Sequence, residues 1–256
     1  MQPISHVVPF SHGLLWIRLA WRLYRRHPLM WISYTVSIIL IGALLAQLPF
    51  GAVFFQLIVP AFNGGIMLAG RDARRWQPLT FLHLFSAFKE HGAQLVTIGG
   101  IYLVGMLIAF KLPEMLSHDP IIKIIYAGQP SQEAMQQLMH MHLSGPTAIL
   151  LLASITLFTV MLMLFWFSPA LVVLGRQTAT AAMQQSFFAC AKNFPAFLLY
   201  GLIMVVLLWL AIIPATLGLF IIIPTSFISY YTAYRDVFYP SHNTAHYRHS
   251  KAIPHR

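Results

Sequence analysis

The sequence predicts an all-α membrane protein with six transmembrane helices, interfacial amphipathic helices and an internal parallel repeat of helical hairpins. Apolar residues make up 58% of the 256-residue chain, charged residues 9%, and the mean hydropathy is +0.71. Three runs of 42 residues, 29–70, 134–175 and 193–234, contain no Asp, Glu, Lys or Arg. Because about 20 apolar residues cross the hydrocarbon core, such a run holds two spans, or one span with its flanks.

The chain divides into an arm, a membrane domain and a tail. Residues 1–28 are predicted to form a cytoplasmic arm with a basic interfacial helix, and residues 29–236 the membrane domain. Within that domain, the outward loop 112–146 is predicted to contain a short helix. Residues 237–256 are predicted to form a flexible cytoplasmic tail. The six predicted spans are 29–48, 51–70, 93–110, 147–174, 196–213 and 217–234.

Proline and glycine mark the joints between the spans. The segments QLPFG and IIPATLG predict tight turns between the first two spans and between the last two. The fourth span is longer than a bilayer requires and contains FSPAL. A tilt or a kink near Pro169 is therefore predicted.

The basic residues predict the orientation. With these six spans, 14 of the 16 Lys and Arg residues fall on the side that holds both termini, and only Lys111 and Lys123 fall on the other side. Lys and Arg accumulate in the cytoplasmic loops of membrane proteins. Both termini are therefore predicted to be cytoplasmic. The net charge of +10 then reflects topology, and no nucleic-acid partner is expected.

The two segments IVPAFNGGIMLAGRD, from Ile58, and IIPTSFISYYTAYRD, from Ile222, align without a gap. Both contain proline near the start and an Arg-Asp pair at the end, which predicts a duplicated hairpin. Small residues at four-residue spacing let helices approach closely in a membrane. The predicted packing stripe consists of Ala61, Gly65, Ala69, Thr225, Ser229 and Ala233.

A basic amphipathic helix is predicted over residues 14–26. Four arginines fall within an arc of about 100°, opposite Trp16, Leu19 and Leu23. Such a helix lies in the interface, where it serves as an anchor or binds anionic lipid headgroups at a specific site. The candidate headgroup ligands are Arg18, Arg22, Arg25 and Arg26.

Polar residues on the second span form a second candidate set. Gln56, Pro60 and Asn63 lie on one helical face, and buried amides in lipid require partners. Gln56 and Asn63 are therefore predicted to face the bundle interior. They either form hydrogen bonds between helices or line a path for a polar substrate.

The outward loop contains EAMQQLMHMHLSGP, whose thioether and imidazole groups suit copper or zinc. The candidate metal ligands are His118, Met139, His140 and His142. In a regular helix His140 and His142 point about 200° apart, so chelation requires the helix to unwind. The alternative is an ordinary amphipathic helix that rests on the membrane surface.

Several classes of activity lack the residues they need. The interiors of the spans contain no Asp, Glu, Lys, Arg or His, which argues against a proton relay, and acids are too few for a paired-carboxylate hydrolase. Cys190 is the single cysteine, so no disulfide framework forms, and it is expected to be inert. No phosphate-binding loop, dinucleotide fingerprint or nucleophile elbow occurs. We therefore expect no enzyme and no organic cofactor.

A tryptophan-rich first helix, a charge-free hairpin and a following Leu-Phe segment form a further pattern, with these residues: Trp16, Trp21, Pro28, Pro60, Gly64, Gly65, Leu84 and Phe85. In this pattern the chain resembles a group of uncharacterised proteobacterial multi-spanning inner-membrane proteins. Its organisation is also similar to the membrane domains attached to some glycerophosphodiester phosphodiesterases, although no catalytic domain is present here. The resemblance implies the bacterial inner membrane and no established activity.

Three hypotheses for function follow. The first is a non-enzymatic membrane protein that handles envelope lipids or small amphiphiles as a carrier or accessory, with membrane lipids as its partners. The second is metal handling through the Met/His loop. The third is a scaffold or assembly factor for a membrane complex. The sequence does not indicate a protein partner or an oligomeric state.

Overall fold

A computed structural model describes residues 4–116, 122, 136, 145–213 and 216–239, and every regular element within these ranges is helical. A short 3₁₀ helix, Phe81–Phe85, leads into the fourth α-helix. The all-α class predicted from the sequence is therefore confirmed for the described residues. The α-helices, numbered in chain order, are α1 (His12–Tyr24), α2 (Pro28–Ala46), α3 (Gly51–Arg74), α4 (Ser86–Leu116), α5 (Gly145–Trp166), α6 (Ser168–Val173), α7 (Ala179–Lys192), α8 (Phe194–Ile212) and α9 (Leu219–Phe238).

Five helical segments of the described chain are long and apolar enough to cross a membrane. Their mean hydropathies range from 1.7 to 2.6. In the most apolar part of Gly145–Val173 only 6% of the residues are buried in protein, and in that part of Phe194–Ile212 only 17% are buried. Such low burial is expected for helices surrounded by lipid. The five segments are Pro28–Leu45, Gly51–Arg74, Phe81–Leu116, Gly145–Val173 and Phe194–Ile212.

Helix α9 corresponds to the predicted sixth span and is not among these five segments. Its 20 residues are enough to cross a bilayer, but its second half contains Ser, Thr and Tyr and ends near Arg235 and Asp236. It packs against α1, α2, α3 and α8, and Ile228, Tyr231 and Tyr234 are buried. Length and composition together support five spans, so the sixth stays a prediction.

Helix α1 is the predicted basic amphipathic helix, but its apolar face contacts protein. Trp16, Ile17 and Ala20 are buried, and α1 packs against α9 and α8. The Thr232 hydroxyl donates to the Trp16 carbonyl at 2.9 Å, and the Trp16 ring centroid lies 5.0 Å from that of Phe197. The predicted contact with lipid is replaced by these helices, because a helix bundle and a bilayer both accept an apolar face.

The fourth predicted span divides into α5 and α6 at Phe167, two residues before Pro169. At this break the Phe167 amide donates to the Ser186 hydroxyl at 2.9 Å, and the Ser168 hydroxyl donates to the Leu164 carbonyl. All six residues of α6 are buried. The break predicted near Pro169 is confirmed, and α6 continues into the protein core.

Helix α4 is longer than the predicted third span, 93–110, because it begins at Ser86 and ends at Leu116. The first residues of the predicted outward loop are therefore helical, and Lys111 donates to Glu114 at 2.8 Å within them. Residues 117–144 of that loop, apart from Ile122 and Gln136, and residues 240–256 of the predicted tail lie outside the described residues.

The helix order is the same in the two halves of the proposed repeat. Helices α1, α2 and α3 contain 13, 19 and 24 residues, and α7, α8 and α9 contain 14, 19 and 20. Pro60 lies inside α3 and Pro224 inside α9. These similarities support the repeat, while a duplication remains a prediction from the sequence.

Candidate anion-binding site at the helix ends

Four elements meet at one end of the helix bundle. They are the last turn of α3, the first turns of α4, the segment after α6 and the last turns of α9. A cavity of about 580 Å³ lies between them, which we call the first chamber. Its polar lining consists of four arginines, three tyrosines and three further side chains: Arg71, Arg75, Arg176, Arg235, Tyr231, Tyr234, Tyr239, Ser86, Glu90 and His91.

A second chamber, of about 410 Å³, adjoins the same end of α9. It is lined by Arg22 and Arg26 from the α1 end and by Arg74 from α3. Three residues line both chambers, namely Tyr231 and Arg235 of α9 and Tyr239, which follows directly after that helix. Seven arginines therefore surround the two chambers, which makes this end of the bundle strongly positive.

The two aspartates closest to the chambers are engaged by other groups. Asp72 accepts hydrogen bonds from Arg71 Nε at 2.8 Å and from His83 Nε2 at 3.3 Å. Asp236 accepts from His12 Nδ1 at 2.7 Å and from Trp16 Nε1 at 2.8 Å. These carboxylates hold the 3₁₀ helix and α1 in place, so they leave most of the arginine charge uncompensated.

The side chains of five of the seven arginines form no hydrogen bond or ion pair with another described residue: Arg22, Arg74, Arg75, Arg176 and Arg235. The other two are held in place. Arg71 pairs with Asp72, and Arg26 donates to the Ala73 carbonyl at 3.1 Å and lies 3.6 Å above the Trp76 ring. Unpaired guanidinium groups around a cavity form a favourable site for a phosphate or carboxylate, since each offers several N–H donors.

The Tyr234 hydroxyl is a further polar group that the fold leaves unsatisfied. Tyr234 is 1% exposed and lines the first chamber. Its ring contacts Tyr239 and Phe238, but its hydroxyl oxygen has no hydrogen-bond partner within the described part of the chain. Buried hydroxyls are nearly always paired, and the Tyr239 side chain lies near enough to become the partner of this one.

Arg176 has a backbone conformation that arginine seldom adopts. Its φ is 52°, in the left-handed region, where glycine is the usual residue after a helix. The chain turns here directly after α6, and the Gln177 amide donates to the Leu171 carbonyl at 3.2 Å. Left-handed backbone costs a residue with a side chain about 1–2 kcal/mol. A strained turn that carries a charged side chain into a cavity is typical of a binding site.

A separate apolar groove of about 400 Å³ lies among α5, α7, α8 and α9. Trp166, Tyr200 and Met204 contribute to it, and Gly201 borders open space. The Trp166 Nε1–H group has no partner among the described residues. Cys190 also lines the groove, and burial raises the pKa of its thiol to about 12, so the thiol is expected to be unreactive.

The structure divides the four arginines predicted as headgroup ligands. Arg22 and Arg26 line the second chamber, whereas Arg18 and Arg25 are exposed and line neither chamber. Arg25 lies 5.8 Å from the Trp21 ring. One helix therefore supplies only part of the basic surface.

The predicted packing stripe is buried in both hairpins. All six of its residues are buried. Among the five that have a side chain, Thr225 is the most exposed, at 4%. A side chain at Gly65 would meet the backbone of the 3₁₀ helix, and the Ser229 hydroxyl lies 2.6 Å from that of Tyr200. Asn63 is buried, whereas Gln56 is only partly buried.

The predicted metal ligands His118, Met139, His140 and His142 lie outside the described residues. Within the described ranges, no group of three or more His, Cys, Asp or Glu side chains could hold a metal ion. The Met/His loop therefore stays a prediction.

Four arginines of the chambers were not predicted from the sequence as binding residues: Arg71, Arg75, Arg176 and Arg235. Lys and Arg accumulate in cytoplasmic loops in general, so these four were attributed only to the orientation of the protein in the membrane. A usable signal was present in the segments GRDARR, GRQ and YRD, because each ends an apolar run on the same predicted side of the membrane.

Comparison with known proteins supports the membrane assignment. A protein of Burkholderia thailandensis named as a probable inner membrane protein is 27% identical over 251 residues, covering 88% of this chain and 90% of that protein. No family model matches the chain. No solved structure matches it either. The relative and the five apolar helices together support a multi-pass protein of the inner membrane.

Proposed function

We propose that this protein is a non-enzymatic inner-membrane protein that binds a phosphate-bearing envelope lipid or small amphiphile, as a carrier or accessory. The observation that carries the proposal is the first chamber, where three arginines whose side chains have no described partner line one cavity. The ligand chemistry is that of a phosphate monoester or diester, which guanidinium groups bind through paired N–H donors.

The location of the chambers favours a ligand from the membrane. Both lie at helix ends, where the apolar spans give way to arginine-rich segments. With both termini cytoplasmic, as the distribution of basic residues predicts, the chambers open at the cytoplasmic leaflet, whose anionic lipids supply phosphate groups at high local concentration. The apolar groove beside Trp166 offers space for a hydrocarbon chain.

Native mass spectrometry of the full-length protein in mild detergent tests this function, with phosphatidylglycerol and phosphatidylcholine as probes. Wild-type protein should retain phosphatidylglycerol in preference. Arg176→Gln removes one charge-assisted contact worth about 1.5–3 kcal/mol, which weakens binding about tenfold to a hundredfold. Lys192→Gln removes the same charge from an exposed position outside both chambers and should leave binding unchanged.

A second variant separates loss of binding from loss of folding. Arg176→Gly also removes the guanidinium but relieves the left-handed backbone, so unfolding should require about 0.5–1 kcal/mol more free energy. A protein that is more stable and retains less phosphatidylglycerol than the wild type supports the proposal. Undiminished lipid binding in both Arg176 variants would refute it. Inorganic phosphate that binds as tightly as the lipid would indicate a soluble ligand.

The other two hypotheses stay predictions. Metal handling concerns residues 118–142, and the structure gives no specific support for a scaffold over a lipid-binding protein.

A further inference from the structure

The two chambers share one wall. Tyr231 and Arg235 lie one turn apart on α9, Tyr239 follows directly after the last residue of that helix, and all three line both chambers. Tyr231 and Arg235 are about 6 Å apart along the helix axis, at 1.5 Å per residue. The chambers are therefore neighbours on either side of a single row of side chains, and Arg235 is the one cation that both possess.

The last turn of α3 also serves both chambers. Arg71 and Arg75, one turn apart, line the first chamber, and Arg74 lines the second. Arg176 completes the first chamber and Arg22 the second. Two helices thus place cations on both sides of the shared wall, so the two chambers form one composite site.

The charges available to a ligand are matched between the chambers. Arg71 and Arg26 are engaged by contacts within the protein. In the first chamber the side chains of Arg75 and Arg176 then have no described partner. In the second chamber the same holds for Arg22 and Arg74. Each pair suits one phosphate. Arg235 lies between the pairs and has enough N–H donors to contact two phosphates at once.

The nearby acids do not remove this symmetry. Asp236 lines the second chamber, but His12 and Trp16 both donate to it. Glu90 lines the first chamber, where its carboxylate lies 4.0 Å from His91 Nε2 and is largely exposed. Each chamber therefore contains one acid against its two unpaired arginines and the shared Arg235.

We propose that the two chambers bind a single ligand that carries two phosphate groups joined by a short polar bridge, with one phosphate in each chamber and Arg235 in contact with both. A diphosphatidylglycerol lipid (cardiolipin) has this chemistry, and basic pockets between membrane helices are known sites for such headgroups. This inference rests on the proposed function and narrows its ligand class. Joining two phosphates makes binding of the second one intramolecular, which raises the affinity above that of either phosphate alone.

The test compares cardiolipin with phosphatidylglycerol at equal phosphate concentration, by native mass spectrometry of the full-length protein. We expect one cardiolipin per chain, bound at least tenfold more tightly, and up to two phosphatidylglycerol molecules per chain. Arg22→Gln and Arg176→Gln, which alter one chamber each, should both abolish the preference for cardiolipin and leave a single phosphatidylglycerol. Arg18→Gln, one turn from Arg22 and outside both chambers, is the matched control and should change neither value.

The outcomes distinguish this inference from the function on which it rests. Cardiolipin that binds no more tightly than phosphatidylglycerol, or a preference that survives Arg22→Gln, overturns the two-phosphate ligand even if phosphatidylglycerol binding still depends on Arg176. If the wild-type protein binds no anionic lipid, both the two-phosphate ligand and the proposed function are overturned. If fructose 1,6-bisphosphate binds one per chain and displaces cardiolipin, the two-phosphate chemistry holds and the ligand is soluble.

Discussion

The close approach of the 3₁₀ helix to α3 gives a quantitative prediction for Gly65→Ala. A methyl group at Gly65 would lie 2.3 Å from the Leu84 carbonyl oxygen and 2.6 Å from that of His83. Ordinary contact begins at 3.4 Å, so the backbone of the 3₁₀ helix must move by about 1 Å. Backbone atoms cannot rotate away as a side chain can, and overpacking of this kind costs about 1–3 kcal/mol.

Two further effects modify this value. Alanine is favoured over glycine inside a helix by about 1 kcal/mol, which offsets part of the cost. Displacement of the 3₁₀ helix weakens two hydrogen bonds, from His83 to Asp72 and from the Tyr34 hydroxyl to the Thr80 carbonyl, at about 1 kcal/mol each. The net expectation for Gly65→Ala is a loss of about 2–4 kcal/mol in the free energy of unfolding.

Gly201→Ala is the matched control, since a methyl group there meets no atom within 4 Å. It should stabilise the protein by up to about 1 kcal/mol through helix propensity alone. Unfolding in mild detergent can be followed with a thiol-reactive dye, because Cys190 is buried and becomes reactive only when the fold opens. Equal shifts of the unfolding midpoint, in the same direction for both variants, would refute the close-packing argument.

Three other predictions concern the arm, the thiol and the orientation. Asp236→Asn should weaken the contacts of His12 and Trp16 with α9 and cost about 1.5–3 kcal/mol; limited proteolysis within residues 4–24 should accelerate, and unchanged cleavage would exclude this role of the carboxylate. N-ethylmaleimide should label Cys190 slowly in folded protein at pH 7.5 and faster as the pH rises toward its pKa of about 12; rapid labelling at pH 7.5 would contradict its burial. Reporter fusions at both termini should show cytoplasmic locations and a fusion after Lys123 the opposite side; any other pattern would contradict the predicted orientation.

The membrane character could be predicted from the sequence because hydropathy is a local property. The charge-free runs are confirmed as long helices in the described ranges, and FSPAL predicted the break at Phe167 from one proline and its neighbours. The weak point was α9, where apolar and polar residues are mixed. A helix in contact with four others need not be as apolar as one that faces lipid, and sequence alone does not reveal which situation applies.

The candidate site could be predicted only in part. Arg22 and Arg26 were already candidates in the sequence and both line the second chamber, but Arg71, Arg176 and Arg235 come from segments far apart in the chain and meet only in the folded bundle. In the sequence, arginines next to predicted spans are already explained by the accumulation of Lys and Arg in cytoplasmic loops. The unpaired Tyr234 hydroxyl and the left-handed Arg176 backbone have no counterpart in the sequence pattern, because both depend on neighbours that tertiary packing supplies.

The docking of α1 onto α8 and α9 also constrains how the protein is made. His12 and Asp236, which hold the two ends of the chain together, are separated by 224 positions. Synthesis proceeds from the N-terminus, so α1 emerges long before its partner helices exist. During that interval we expect its tryptophans and arginines to hold it at the membrane surface, in the location that its amphipathic pattern favours. On this hypothesis assembly is completed when α9 forms and α1 packs against it, and a ribosome-bound chain that ends before Asp236 should keep its first helix on the bilayer.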